Sequence, residues 1–206
     1  MTTHLDLPSI QTSHAKQIRR VIDSCTEKDL EMGQYDFTLK FALGRHIDDP
    51  ESFVERLLAE GCDDALIGVG QRGRIALDFT RESPSADEAV VSALSDVRRA
   101  IPDARLVEAA PDLVGLTDIA KVLGFSRQNM RKLVVHKGSE FPLPVHDGKS
   151  AIWHLATVLS WFIEKKNRKV DQAVMDISRI SMQCNILRET TKLDRDISDR
   201  LERLIA

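Results

Sequence analysis

The sequence predicts an α+β protein, and three observations carry that prediction. Residues 35–43 alternate apolar and polar side chains, which is typical of a half-buried strand. Two further β-rich runs, at 65–69 and 74–80, flank a glycine-bounded loop of hairpin length. Apolar side chains at helical spacing recur between and after these runs. Strands and helices therefore both belong to the fold.

Composition places the chain among ordinary globular proteins. Hydrophobic residues make up 42% and charged residues 30% of 206 residues, which excludes collagen-like, low-complexity and wholly disordered classes. Cys25, Cys62 and Cys184 are too scattered for a metal-ligand motif or a disulfide framework. The chain has neither an apolar run long enough to span a bilayer nor a secretory signal at its start. We expect a cytoplasmic protein with no membrane partner, no cofactor and no metal.

The first elements in the chain are a flexible segment, a strand and a helix. Residues 1–33 contain no strong strand signal and are expected to be flexible. The strand at 35–43 follows them. Asp49 is placed as the N-cap of the next helix, with Pro50 at the first helical position and Gly61 at the end.

A hairpin, a second helix and a last strand complete the predicted sheet domain. The runs 65–69 and 74–80 should pair antiparallel. The second helix opens at Ser85 and stops before Pro102, and a short strand covers 105–109. Strand, helix, strand, strand, helix, strand is the order of the ferredoxin-like fold, whose four-stranded sheet is covered on one face by two helices.

Charge is distributed unevenly along this chain of net charge -3. Residues 1–112 carry 13 basic and 21 acidic side chains, whereas residues 113–170 carry 10 and 4, and residues 171–206 carry 6 and 7. A basic block inside an acidic protein is typical of a module that meets a polyanion. The functional site is therefore expected within 113–170.

Two short helices joined by a tight turn are predicted in this basic block. Thr117 is expected to cap the first helix, at 118–123, and Gly124 to supply the turn. Ser126 is expected to cap the second helix, at 127–134. Its apolar residues should face inward and leave five polar or basic side chains exposed: Arg127, Gln128, Asn129, Arg131 and Lys132.

These five side chains have the chemistry of DNA readers. Amides pair with an adenine edge, and guanidinium and ammonium groups reach guanine or phosphate. The N-terminus of the helix adds its own affinity for phosphate. The alternative is an amphipathic helical hairpin whose polar face is merely solvated.

A compact β-hairpin, or wing, is predicted after the two helices. Residues 141–145 form its first arm, 146–149 its polar and basic tip, and 151–153 its second arm. Trp153 and Trp161 are expected to be buried supports of this region and not stacking platforms for bases.

The stretch 116–162 resembles the winged helix-turn-helix modules of MerR-like and phage excisionase or AlpA-like regulators. The resemblance covers about a quarter of the chain. The residues that carry it are Ala120, Leu123-Gly124, Ser126-Arg127, Phe141-Pro142, Pro144-Val145, Trp153 and, in the closing helix 155–163, Trp161.

The resemblance implies a bacterial or phage regulator. Its second helix, at 126–134, would read the major groove, and its wing, at 141–153, would follow the backbone or minor groove. Base reading is thereby assigned to Arg127, Gln128, Asn129 and Arg131. Phosphate contact is assigned to Ser126, Lys132, His146 and Lys149, and Thr117 completes the predicted DNA-binding set.

A long polar helix with a narrow apolar stripe is predicted after a basic hinge at 164–169. The stripe runs from Val170 to Leu187 and resumes at Leu193 after a slip near Thr190. Because such a helix is not stable alone, we expect it to form a dimer with a second copy. The alternatives are docking onto its own sheet or onto a different protein. A dimer would read half-sites about 34–36 Å apart.

Taken together, the sequence predicts a double-stranded-DNA-binding transcriptional regulator, a dimeric repressor. The alternative is a protein-interaction adaptor or antitoxin that binds a partner protein through its N-terminal domain. An enzyme is not expected, because no nucleophile elbow, HExxH motif or Walker loop is present. The predicted segments are a flexible N-terminus (1–33), a ferredoxin-like domain (34–111), a winged helix-turn-helix domain (112–168) and a C-terminal helical dimerisation segment (169–206).

Overall fold

The computed structural model describes residues 32–44 and 50–205. All but the last two residues of the predicted flexible segment 1–33 lie outside this part, as do Cys25 and the predicted cap Asp49. The strands are β1 (Gly33–Ala42), β2 (Ala65–Gln71), β3 (Arg74–Ser83), β4 (Arg105–Ala110), β5 (Leu113–Val114) and β6 (Trp153–His154). The helices are α1 (Val54–Ala59), α2 (Ala86–Ala100), α3 (Leu116–Val122), α4 (Arg127–Lys137), α5 (Leu155–Lys166), α6 (Gln172–Thr190) and α7 (Arg195–Ile205). A 3-10 turn at Pro50–Phe53 precedes α1, and another at Gly138–Glu140 follows α4.

Four of the strands form one antiparallel sheet in the order β2–β3–β1–β4. β1 pairs with β3 over its whole length, from Gly33 opposite Ser83 to Ala42 opposite Arg74. β4 pairs with the other side of β1, and β2 pairs with β3. The α+β prediction is confirmed, because this antiparallel sheet is combined with seven α-helices in the described residues.

One face of the sheet carries the first hydrophobic core. Successive side chains of a strand point to opposite faces, so alternate residues of β1 and β3 turn toward this core. α2 covers it with a stripe of small residues, and α1 adds Leu57. The buried strand residues include Phe37, Leu39, Phe41, Ile75, Leu77 and Phe79, and the α2 stripe includes Ala86, Ala89, Val90, Ala93 and Val97.

The predicted ends of α2 are confirmed, and the predicted antiparallel hairpin is formed by β2 and β3. The N–H of Glu88 donates to Ser85 Oγ at 3.4 Å, which makes Ser85 the N-cap of α2, and the helix ends before Pro102. The hairpin loop is shorter than predicted. β2 continues to Gln71 and leaves a two-residue turn in which Gly73 has a φ of +71°.

The opposite face of the sheet is polar. Thr38 Oγ1 donates to Asp78 at 2.6 Å across β1 and β3. Lys40 and Glu108 form an ion pair at 2.7 Å across β1 and β4. Cross-strand pairs of this kind satisfy polar groups on a solvated face.

A second hydrophobic core lies among α3, α4, α5 and the β5–β6 pair. Trp153, Trp161 and Phe162 are buried in it, as expected for the two tryptophans. α6 contributes Met175 to this core and Ile177 to the core of the sheet. α6 therefore docks on its own chain, which was the alternative to dimerisation for this part of the sequence.

The predicted long C-terminal helix is in fact two helices. α6 ends at Thr190 and α7 begins at Arg195, so the slip in apolar spacing near Thr190 marks a break in the helix. α6 buries Met175 and Ile177 and exposes Ile186 and Leu187 near its end, whereas Ile197, Leu201 and Leu204 of α7 are all exposed. The expectation of one continuous helix is therefore wrong, and pairing of this segment with a second copy stays a prediction.

A buried polar network joins the two cores. The carboxylate of Asp112 is fully buried, with Oδ1 lying 2.6 Å from His154 Nδ1. Asn185 Nδ2 of α6 donates to Asp112 Oδ2 at 2.7 Å, and Asn185 Oδ1 accepts the N–H of Ala109 at 2.9 Å. Because buried polar groups are costly unless they are paired, this network fixes α6 against β4 and β6.

Candidate nucleic-acid interface

The turn between α3 and α4 depends on one glycine. Gly124 has a φ of +66°, in the left-handed region that favours glycine. The next residue, Phe125, donates its N–H to the carbonyl of Ala120 at 2.7 Å and closes the turn. Ser126 Oγ then accepts the N–H of Asn129 at 3.2 Å, so Ser126 caps α4 as predicted.

Thr117 does not cap α3. The helix begins one residue earlier, at Leu116, and its N-cap is Gly115. The N–H of Gly115 donates to Asp118 Oδ2 at 3.3 Å, so the carboxylate three residues on satisfies the helix start that Thr117 was expected to satisfy. Thr117 is exposed near the N-terminus of α3.

α4 is fixed to the second core through its apolar side. Met130 is fully buried, and Leu133 and Val134 are half-buried against the same core. The centre of the Phe125 ring lies 5.9 Å from the centre of the Phe162 ring. The Arg168 guanidinium lies 4.4 Å from the centre of the Phe125 ring. The orientation of α4 is therefore set by its apolar residues.

The opposite side of α4 presents the predicted DNA-reading residues. Gln128, Arg131 and Lys132 share one face because they stand three and four residues apart in a helix. Arg127 and Asn129 flank this face at its N-terminal end. All five side chains are exposed, and within residues 32–44 and 50–205 none of them forms a side-chain hydrogen bond or an ion pair.

One residue of this face escaped the sequence prediction. Val135 stands seven residues after Gln128, on the same side of α4, and is 74% exposed. The prediction ended the helix at 134, whereas α4 continues to Lys137. Extending the apolar and polar periodicity by one more turn would have placed Val135 on the polar face.

The wing is smaller than predicted. Only His146 and Ile152 form a bridge, while Trp153 and His154 pair with β5. Pro142 and Pro144 lack the N–H that a strand ladder requires, which limits pairing of the first arm.

Indole groups hold the first arm where ladder hydrogen bonds are missing. Trp153 Nε1 donates to the carbonyl of Pro142 at 2.9 Å, and Trp161 Nε1 donates to that of Glu140 at 2.6 Å. His146 and Lys149 are exposed on the loop that follows. The structure thus places these two predicted residues on a separate loop from α4.

A basic cavity between the ends of α4 and α5 was not anticipated from the sequence, where two of its three lysines, Lys165 and Lys166, belong to the predicted hinge. It has a volume of about 370 Å³ and is lined by Lys137, Glu140, Trp161, Lys165 and Lys166. Lys137 Nζ donates to Glu140 at 2.7 Å and holds the pKa of that carboxyl below its usual range. The surplus of lysines makes this wall of the module cationic.

Both described cysteines have thiol pKa values raised by burial. Burial raises the pKa of the Cys62 thiol to about 11, with Asp96 as the next contribution, and burial also raises the pKa of Cys184. Neither is in a disulfide.

In the part of the chain that the structure describes, no group of three or more His, Cys, Asp or Glu side chains could hold a metal ion. Among the same residues, no helix combines the length and apolar character needed to cross a membrane.

Comparisons of the chain with protein-family models, with curated proteins and with solved structures found no match. The chemistry of the site therefore rests on its own residues. Exposed, unpaired cations and amides on a firmly packed helix can bind a polyanion and can hydrogen-bond to base edges.

Proposed function

We propose that the protein is a cytoplasmic regulator that binds double-stranded DNA in a sequence-specific manner, with α4 in the major groove. The observation that carries the proposal is the face of α4. Its polar and basic side chains have no partner among the described residues, while the other side of the helix is packed in the core. Cations without internal partners are available to phosphates and guanine edges.

The same proposal assigns folds to the two cores. Residues 34–111 would be a ferredoxin-like domain, supported by the element order and by the strand order β2–β3–β1–β4. Residues 112–168 would be a winged helix-turn-helix domain, supported by the Gly124 turn and the Ser126 cap, with a short wing at 141–153.

Each face residue then receives a role. Arg127 and Arg131 read guanine or phosphate, and Gln128 and Asn129 read adenine. Ser126, Lys132, His146, Lys149 and Thr117 contact the backbone. Val135 adds an apolar surface for a thymine methyl group, a contact that apolar side chains make in the major groove.

The test is fluorescence anisotropy of the full chain on the DNA directly upstream of its own gene, against a scrambled duplex, at low and moderate salt. The native duplex should bind more tightly, and log affinity should fall with log salt with a slope of about -5 to -7 if six to eight phosphates are neutralised. Arg131→Ala should cost roughly 1–3 kcal/mol of binding free energy if the contact is to a base. Arg98→Ala, an exposed arginine on α2, is the matched control and should leave affinity unchanged.

Three other outcomes would contradict this proposal. Equal, salt-sensitive binding to both duplexes would indicate a nonspecific DNA-binding protein. Unchanged affinity in both Arg127→Ala and Arg131→Ala would remove α4 as the reading helix. No binding to either duplex would favour the adaptor or antitoxin alternative, which co-purification with the product of an adjacent gene would support.

A further inference from the structure

α7 carries an apolar stripe that is open to solvent. Ile197, Leu201 and Leu204 recur at helical spacing on one side of the helix, and Leu193 precedes them in the connecting turn. Ile197 is 53% exposed, Leu201 48%, Leu204 80% and Leu193 61%. Scattered exposed leucines are ordinary, but a complete stripe is typical of an interaction surface.

A helix of this kind requires a partner. α7 has 11 residues, and isolated helices shorter than about 12–15 residues are marginal in water. α6 differs because it is buried against both cores and held by Asn185. α6 exposes Ile186 and Leu187 only near its end, whereas the apolar stripe of α7 is exposed at Ile197, Leu201 and Leu204 and is open to another molecule.

The charges on α7 indicate which molecule that is. Residues 194–199 hold three aspartates and one arginine, so this half is acidic. Residues 200–205 hold two arginines and one glutamate, so this half is basic. An antiparallel pair of α7 helices sets the acidic half of one against the basic half of the other, whereas a parallel pair sets like against like. Antiparallel alignment also places each helix dipole beside its opposite.

We propose that α7 pairs antiparallel with α7 of a second copy of this chain, joining the two apolar stripes. The pair is isologous, so it closes into a dimer and leaves no free stripe. This proposal deepens the regulator proposed above, because two copies would present two reading helices to a two-fold DNA site. Its test involves no DNA, so its failure and the failure of the DNA-binding proposal are distinguishable.

The first experiment measures the mass of the full chain by sedimentation equilibrium over a range of concentrations. The wild type should show a reversible monomer–dimer equilibrium. Leu201→Asp should raise the dimer dissociation constant by at least about 100-fold, because it places a charge in the paired stripe. Val91→Asp replaces an equally exposed apolar residue on α2, 56% accessible, and should leave the equilibrium unchanged.

The second experiment tests the orientation of the two helices. Arg200→Glu with Arg203→Glu should weaken the dimer about 10-fold, because both halves of α7 become acidic. Adding Asp196→Lys and Asp199→Lys to the same chain makes the halves complementary again and should restore the dimer. Asp194, whose carboxylate accepts the N–H of Ile197 at the start of α7, is kept. In a parallel pair of the four-fold variant, each half of α7 would still lie against a half of the same charge, so the dimer would not recover.

Several results would overturn the proposal. A wild type that stays monomeric throughout would mean that α7 is covered by another part of its own chain or by a different protein. A Leu201→Asp variant that dimerises like the wild type would place the interface elsewhere. Failure of the four-fold variant to recover would exclude antiparallel pairing. Circular dichroism of each variant verifies that the exposed substitutions leave the fold intact.

Discussion

Cations of the sheet region and cations of α4 differ in what they bind. Arg81 donates to Asp64 at 2.7 Å and to Asp96 at 2.8 Å, and is nearly buried. Burial lowers its pKa, but the hydrogen bonds that it donates to the two carboxylates, together with their negative charge, raise it more, so the net shift is upward. Arg131 and Lys132 on α4 are exposed and have no such partner in the described chain.

The difference separates two uses of the same charge. A cation with carboxylate partners on its own chain is committed to stability, and a polyanion would have to displace those partners. A cation without partners contributes little to folding and is available for a ligand. Variants of the two regions should therefore affect different measurements.

The largest expected effect is on folding, at Arg81. Arg81→Ala removes the bonds to Asp64 and Asp96. It leaves Asp64 without a cation and Asp96 with only the exposed Arg99 as its partner. We expect a loss of about 3–5 kcal/mol in the free energy of unfolding, measured by urea denaturation. Arg98→Ala, on the surface of α2, should change it by less than about 0.5 kcal/mol. Equal losses in both variants would mean that the Arg81 network does not stabilise the fold.

The next largest loss of stability is expected at Asn185, because its side chain belongs to the network that joins the two cores. Asn185→Ala leaves the N–H of Ala109 and Asp112 Oδ2 without this partner in a buried site. The expected cost is about 2–3 kcal/mol of unfolding free energy, again from urea denaturation. Gln183→Ala, exposed on the same helix, is the control. A variant as stable as its control would show that the network is dispensable for docking α6.

Alkaline pH should weaken the sheet region through Cys62. The unfolded thiol ionises near its ordinary value of 9.0, whereas the folded thiol ionises only at about 11. The folded state therefore keeps a proton that the unfolded state loses, and stability falls between pH 9 and about 11. This difference between the folded and unfolded pKa corresponds to a loss of roughly 2–3 kcal/mol in the free energy of unfolding. Unfolding curves of the wild type and Cys62→Ala should diverge in their pH slope over this range; parallel slopes would contradict the assignment.

The smallest effects are expected at surface lysines. Lys40→Ala breaks the exposed ion pair with Glu108 and should cost less than about 1 kcal/mol, a loss that salt reduces. Lys132→Ala should leave the unfolding free energy unchanged within about 0.5 kcal/mol while weakening DNA binding at all sequences alike. A larger stability loss at Lys132 than at Lys40 would reverse the comparison between the two regions.

Local signals in the sequence were sufficient for most element boundaries and for the exposed polar face of α4. Ser85 and Ser126 cap helices because a hydroxyl next to a helix start has a nearby N–H to accept. The exposed residues of α4 followed from periodicity alone. Two predictions were wrong because a neighbouring residue changes the local hydrogen bonding. Asp118 satisfies the start of α3 in place of Thr117, and the prolines of the first arm prevent a full wing.

By itself the sequence determined the α+β class, the Ser85 and Ser126 caps, the uneven charge and the polar face of α4, because each depends on residues a few positions apart. The tertiary structure alone decided where the C-terminal helices go. An apolar stripe has the same spacing whether it binds its own chain or another. The contacts of Met175, Ile177 and Asn185 assign α6 to its own chain, and the absence of comparable burial leaves the stripe of α7 exposed.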